Sequence, residues 1–99
     1  MMRLEQSFDD MAMDMRDKTF IDLRDPDDVK RGAAEGAINI PDSEINSRLD
    51  EIDRTKPVYL MCYAGATSLE RAQKMRDMGF EAYSLTSGYR GYILYQMSL

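Results

Sequence analysis

The chain has no histidine, no tryptophan, one cysteine and three prolines. Lack of histidine removes the imidazole base, and with it every Ser-His-Asp or Cys-His mechanism and every Cys/His zinc cluster. One cysteine, Cys62, leaves no partner for an internal disulfide. Basic residues are in the minority, 13 Lys and Arg against 18 Asp and Glu for a formal charge of -5, which argues against a surface that gathers phosphate backbones. Nucleic acid is therefore not an expected partner. No apolar run approaches bilayer length, and the opening MMRLEQSFDDM puts acidic residues where a signal peptide has its hydrophobic segment. The sequence thus predicts no membrane partner and a cytoplasmic location.

What is present fits a folded chain. Hydrophobic residues make up 43% and charged residues 31% of 99 residues, enough for one compact core and too short for two, so a single domain over residues 1–99 is expected. The nine methionines supply adaptable core filler, and Met11, Met13 and Met15 are too sparse for a copper site, so neither metal nor cofactor is implied.

No repeat is visible, and organisation comes from alternating strand and helix patterns. Leu4 to Met15 predicts a short strand and then a helix capped by Ser7, with Asp10 at the capping-box position and Phe8, Met11 and Met15 on one face. Thr19 to Leu23 predicts a strand ending near Asp22 and Arg24, and Asp25-Pro26 the cap and first turn of a brief helix over Asp27 to Lys30. Gly36 to Pro41 predicts a strand stopped by proline. Asp42 or Ser43 can cap a helix reaching Ile52, with Ile45, Leu49 and Ile52 inward. Val58-Tyr59-Leu60-Met61-Cys62 is the longest β-favouring apolar run, as expected of a central parallel strand. A helix follows over Leu69 to Met78, with Leu69, Ala72, Met75 and Met78 inward and Gly79 beyond its end; a strand near Ala82 to Leu85 and a helix from Gly88 to about Met97 complete the chain. This alternation predicts an open α/β sheet with helices on both faces.

Cys62 falls at the carboxyl end of the most buried-looking strand, where open α/β sheets bind ligands. The segment Tyr63-Ala64-Gly65-Ala66-Thr67-Ser68 has short side chains and a glycine, so it can curl with N–H groups inward at a helix start, and such donors favour a thiolate or persulfide. Spacing alone leaves a second reading open, a small buried hydrophobe that ends a strand. Thr67 has two roles available, a hydroxyl at the loop's end or a helix cap with Glu70 three residues on. Tyr89, Tyr92 and Tyr95 line a ring beside the pocket, offer a partner surface or complete the core, with the core favoured for a terminal helix.

Four ordered segments resemble the rhodanese-like domains. Phe20-Ile21-Asp22-Leu23-Arg24 is similar to the family's strand ending in Asp-x-Arg, and Gly36-Ala37-Ile38-Asn39-Ile40-Pro41 to its Gly-Ala-Ile-Asn-Ile-Pro segment. Cys62 to Thr67 has the length of its active-site loop, and Leu85 to Tyr92 resembles its closing Leu-x-Gly-Gly-x-x-x-Trp stretch. The resemblance implies a rhodanese-like fold, a central largely parallel five-stranded sheet flanked by helices on both faces. It implies that Cys62 accepts sulfane sulfur as a persulfide and passes it to a thiol or cyanide. The partners would be a small sulfane-sulfur donor and a thiol acceptor, including a protein thiol, with no cofactor. Backbone N–H groups from Tyr63 through Ser68 would bind the outer sulfur, and Asp22 and Arg24 would brace loops at the sheet edge.

The chain departs from the family pattern at Gly32-Ala33-Ala34-Glu35-Gly36, where Gly-His-Ile-Pro-Gly is frequent, at Ser87-Gly88 for Gly-Gly, and at Tyr92 for Trp. At the sixth loop position stands Thr67, where thiosulfate-using members commonly carry arginine; one hydroxyl replaces five charged donors. Cysteine phosphatases and arsenate reductases are a rival class, but Ser68 stands where Cys-x5-Arg needs its arginine. A slow or non-catalytic sulfur-relay or regulatory module is the non-enzyme alternative.

Overall fold

The computed structural model describes residues 1–99. Five strands, β1 (Glu5–Gln6), β2 (Thr19–Asp22), β3 (Ile38–Asn39), β4 (Val58–Met61) and β5 (Ala82–Leu85), form one sheet in the order β1-β5-β4-β2-β3. Every neighbouring pair runs parallel. Four helices accompany them: α1 (Phe8–Met13), α2 (Pro26–Arg31), α3 (Ala66–Asp77) and α4 (Gly88–Met97). No helix is long and apolar enough to cross a membrane.

β4 is central because all of its side chains are buried, the condition for a parallel strand covered on both faces. Its alternation sorts the core into halves. Val58, Leu60 and Cys62 join Ile21, Ile45, Ala72 and Met75 on the α3 side; Tyr59 and Met61 join Phe8, Phe20, Tyr83 and Leu85 on the side of α1 and α4. The expected flanking of the sheet on both faces is thus seen. α1 begins in the expected capping box, with the Asp10 N–H donating to Ser7 Oγ at 3.0 Å and the Ser7 N–H to Asp10 Oδ2 at 2.8 Å.

Several local expectations are corrected. α1 ends at Met13, so Met15 lies beyond the helix and 92% exposed rather than on its inner face. Asp25 flanks α2 without a side-chain cap bond, leaving Pro26 to set the first turn. The helix expected up to Ile52 is two 3₁₀ segments, Asp42–Ser47 and Leu49–Glu51, broken at Arg48 with φ -125°. Asp42, Ser43, Asn46 and Ser47 all offer side chains that compete for backbone groups, as the Ser47 hydroxyl does by donating to the Glu44 carbonyl, so a full α-helix is not sustained. Ile45 and Ile52 are nevertheless buried, as expected. Met78 is exposed because α3 ends at Asp77 and the chain turns at Gly79 toward buried Phe80.

At the amino ends of β4 and β5 the buried rings of Tyr59 and Tyr83 pass side by side and present their hydroxyls to carboxylates. Tyr59 donates to Asp14 at 2.7 Å, Tyr83 donates to Glu81, and Arg16 bridges both carboxylates at 2.9 and 2.8 Å. The Arg16 guanidinium, helped by Tyr59, holds the Asp14 carboxyl well below the ordinary carboxylate range, and Arg16 with Tyr83 lowers that of Glu81. A depressed carboxyl contributes stability that is fully present above its unfolded value, about 3.9 for Asp, and is lost as pH falls below it. Urea unfolding between pH 5 and pH 2 should therefore show wild type losing about 1 kcal/mol more than Asp14→Asn, since Arg16 is half exposed and the pair is partly screened. Parallel curves for the two proteins would remove Asp14 from the acid response.

Candidate active site

Cys62 follows β4 directly, and its side chain is buried with 3% residue exposure. Two backbone features shape the loop beyond it. Gly65 takes φ +113°, a left-handed turn in which a side chain is strained, and brings its own N–H back to Cys62 Sγ at 3.1 Å. α3 then starts at Ala66, and the N–H of Ser68 reaches the same sulfur at 3.3 Å. Sγ thus lies at a helix N-terminus with two amides aimed at it, and the first turn leaves the Ala66 and Thr67 N–H groups without helical acceptors. The Ser68 hydroxyl stands 3.3 Å from Sγ, 3.2 Å from the Gly65 carbonyl and 2.7 Å from Ser84 Oγ.

Thr67 does not cap α3. The flanking residue is Gly65, with no side-chain cap bond, and the Ser68 N–H that a cap would accept is given to Cys62 Sγ instead. Thr67 is exposed at the second helical position and lines the cavity beside the cysteine. Ala64 and Ala66 are exposed on the curl. Tyr63 is 46% exposed at the cavity mouth, where its hydroxyl donates to Asp28 Oδ2 at 2.5 Å and accepts the Asp25 N–H at 3.1 Å. The Asp28 carboxylate keeps that hydroxyl protonated above its ordinary value.

Asp22 ends β2 and Arg24 lies just past its carboxyl end, and both are buried, at 1% and 3% exposure. Arg24 donates through Nη2 to Asp22 Oδ2 at 2.9 Å and to the Gly32 carbonyl at 2.7 Å. Its guanidinium carbon lies 3.8 Å from the centre of the Tyr89 ring and 5.9 Å from that of Tyr63. Asn39 completes the brace by donating to the backbone carbonyls of Asp22 and Arg24, both at 2.9 Å. Tyr89, Tyr92 and Tyr95 pack against the Phe8 cluster on the other face of the sheet, so they complete the core rather than line the cavity.

The loop is closed from behind by the start of α4. The Tyr89 N–H donates to the Cys62 carbonyl at 2.7 Å, and Gly88 at φ +52° comes so near that a Cβ would stand 2.4 Å from that oxygen. In front lies a cavity of about 230 Å³. Its walls add Leu23 and Asp25 after β2, and Pro41, Asp42 and Ser43 after β3, to Cys62, Tyr63 and Thr67. The sequence reading missed these wall residues, although their positions just past strand carboxyl ends are the signal that places ligand contacts in such sheets. It also missed Ser84, a hydroxyl in an otherwise apolar strand. No basic side chain lines the cavity; Arg71, which reaches its wall residue Asp42, is held there at 2.7 Å and by Asn46 at 2.8 Å. A larger groove of about 740 Å³ near Met1, Met13 and Arg16 contains no nucleophile, so its size does not make it the site.

A parallel sheet carrying one thiol in an amide-lined strand-to-helix loop defines a class of α/β protein organised around a cysteine. Over residues 5–94 the sequence matches the rhodanese-like domain family, and the chain belongs to that family. A rhodanese-related protein from Thermoplasma volcanium superimposes with TM-score 0.85 at 22% identity, covering 94% of this chain and 93% of that one, a likeness of fold. The reduced CoADR-RHD of Bacillus anthracis matches at 28% identity and TM-score 0.76 over 86% of this chain; this chain spans only 15% of that protein's length. The human single-domain sulfurtransferase TSTD1 matches at 25% identity and TM-score 0.65, covering 77% of this chain and 80% of that one. Fold and relatives together place the chain in a superfamily of sulfurtransferases and persulfide relays.

The tight approach of Gly88 has a measurable consequence. Gly88→Ala should lower the unfolding free energy by about 2 kcal/mol or more, because the methyl meets rigid backbone at a backbone angle that L residues rarely adopt. An unchanged urea midpoint would show that loop and turn separate without cost.

Proposed function

We propose that the chain is a sulfurtransferase whose nucleophile is Cys62. The observation that carries this reading is the convergence of the Gly65 and Ser68 amides on Sγ at the floor of a cavity. A sulfur anion there gains donors without any imidazole or loop arginine. In the first half-reaction the Cys62 thiolate attacks the outer sulfur of a hydropersulfide R–S–S–H; the S–S bond breaks, the thiol R–S–H leaves, and Cys62 carries the transferred sulfur as a persulfide anion. In the second, an acceptor thiolate or cyanide attacks that outer sulfur and the Cys62 thiolate is released, so sulfur and electron pairs balance with no cofactor. Backbone N–H groups from Tyr63 through Ser68 surround the transferred sulfur, and Asp22 and Arg24 hold the loops without touching it. A lone free thiol with this chemistry fits a reducing compartment such as the cytoplasm.

Donor choice follows from the cavity walls. Asp25 is a carboxylate, Asp42 a carboxylate already paired with Arg71, and Thr67 offers a hydroxyl, while Arg24 is buried in its pair with Asp22. Thiosulfate, a dianion, is therefore a poor ground-state ligand, and small persulfides and thiols, including protein thiols, are the favoured partners. The absence of a cation in the cavity also favours a second reading, a relay or regulatory module with slow turnover.

Intact mass after incubation with a persulfide donor separates these from an inert fold. A thiol-reversible gain of one sulfur is expected on wild type and none on Cys62→Ser; an adduct that survives loss of Cys62 would refute the nucleophile. In steady-state thiocyanate production, Thr67→Arg should lower the thiosulfate KM by about tenfold, the worth of one charge-assisted contact, with a smaller change in kcat. Adduct formation without turnover would select the relay reading.

A further inference from the structure

β5 is apolar at every position but one. Ala82, Tyr83 and Leu85 belong to the two core clusters, whereas Ser84 puts a hydroxyl on the same side of the strand as Ala82, level with Leu60 and only 1% exposed. A buried hydroxyl is costly unless it is bonded, and a small apolar residue fits such a position without that demand. The one side-chain partner of Ser84 is Ser68 Oγ, at 2.7 Å, in a residue with no exposure at all.

The proton inventory fixes the direction of this bond. Ser84 meets no other acceptor, so its O–H donates to Ser68 Oγ; the reverse arrangement leaves a buried proton without a partner. Ser68 then keeps its own proton for one of two acceptors, the Gly65 carbonyl at 3.2 Å or Cys62 Sγ at 3.3 Å. While Cys62 is a thiol, its S–H donates to Ser68 Oγ and the Ser68 O–H is turned to Gly65. Once that proton has left to solvent, the Ser68 O–H turns to the sulfur anion, and the incoming bond from Ser84 polarises it.

We propose that Ser84 is a positioning residue for Cys62 that acts through Ser68, orienting and polarising the one side-chain hydroxyl that reaches the sulfur. On the sulfur-transfer reading the same donor assists Cys62 as the leaving group of the second half-reaction. The orienting role itself is independent of that reading, and alkylation, which needs no sulfur donor, tests it separately.

The experiment is the pH profile of iodoacetamide alkylation for wild type, Ser84→Ala, Ser68→Ala and the double variant, with urea unfolding of all four. Loss of Ser68 should displace the half-maximal pH upward by about one unit, and loss of Ser84 by a few tenths, the share that polarisation adds to a charged hydrogen bond. In the Ser68→Ala background, Ser84→Ala should add nothing. A Ser84→Ala profile that coincides with wild type, whatever the urea midpoint does, overturns the proposal and leaves Ser84 a structural staple between β5 and α3. An additive displacement in the double variant overturns it as well, because Ser84 then acts by a route that bypasses Ser68. Failure of sulfur loading with the expected alkylation pattern would sink the proposed function and leave this inference standing.

Discussion

The carboxyl end of the sheet is organised by one buried guanidinium. Arg24 touches the end of β2 through Asp22, the exit of α2 through the Gly32 carbonyl, the first turn of α4 through the Tyr89 ring and the cysteine loop through Tyr63. Segments far apart in sequence thus share one cation. A charge this deep is tolerated because a carboxylate, a carbonyl and an aromatic face all meet it, and taking away one partner of such a pair typically costs about 3–5 kcal/mol. Gly32 is part of the same arrangement, since a side chain there would run into the Tyr89 hydroxyl at 2.5 Å. Arg24 makes no hydrogen bond to the Cys62 sulfur; it sets where the walls around that sulfur stand.

A second constraint acts at the backbone. The cysteine loop is sandwiched between the α3 N-terminus, which supplies amides to Sγ, and the first turn of α4, which takes up the Cys62 carbonyl. Thiol and carbonyl of one residue are therefore held from opposite sides. The glycines at 65 and 88 make this possible because each adopts a left-handed conformation where it meets the other's segment. Ser87, at φ +65°, takes the same kind of conformation with a side chain, at the position where the family pattern has its first closing glycine. Strain of this sort persists only where surrounding contacts over-determine the backbone.

Much of this was legible in the sequence because capping and strand burial have simple signatures. The apolar run ending in Cys62, the Gly36 to Pro41 segment and the Ser7 capping box each identify an element from a few residues, while the five-stranded parallel sheet was implied by the resemblance to the family. What stayed hidden depends on atoms brought together by the fold. The start of α3 is set by a sulfur that accepts the Ser68 amide, so Thr67 had every local mark of a cap and is none. The 3₁₀ segments share their inward spacing with an α-helix over so short a stretch, and only side-chain competition for the backbone tells them apart. Asp25 and Asp42 became cavity walls because β2 ends level with β4 on one side and with β3 on the other, a relation of register rather than of composition.

The sheet order also sets the sequence of events during synthesis. β1 pairs with β5, Glu5 opposite Ser84 and Gln6 opposite Leu85, so the earliest-made strand of this sheet waits for its latest-made one. That long closure is of the kind that slows folding, since chain entropy is lost before the distant contacts form. It also places residues 84–88, which carry the Ser84 hydroxyl and the turn behind the loop, later in synthesis than Cys62 and its amide donors. A nascent chain ending short of them lacks both that hydroxyl and the support behind the loop, and the sulfur gains its full set of surroundings only after they have emerged.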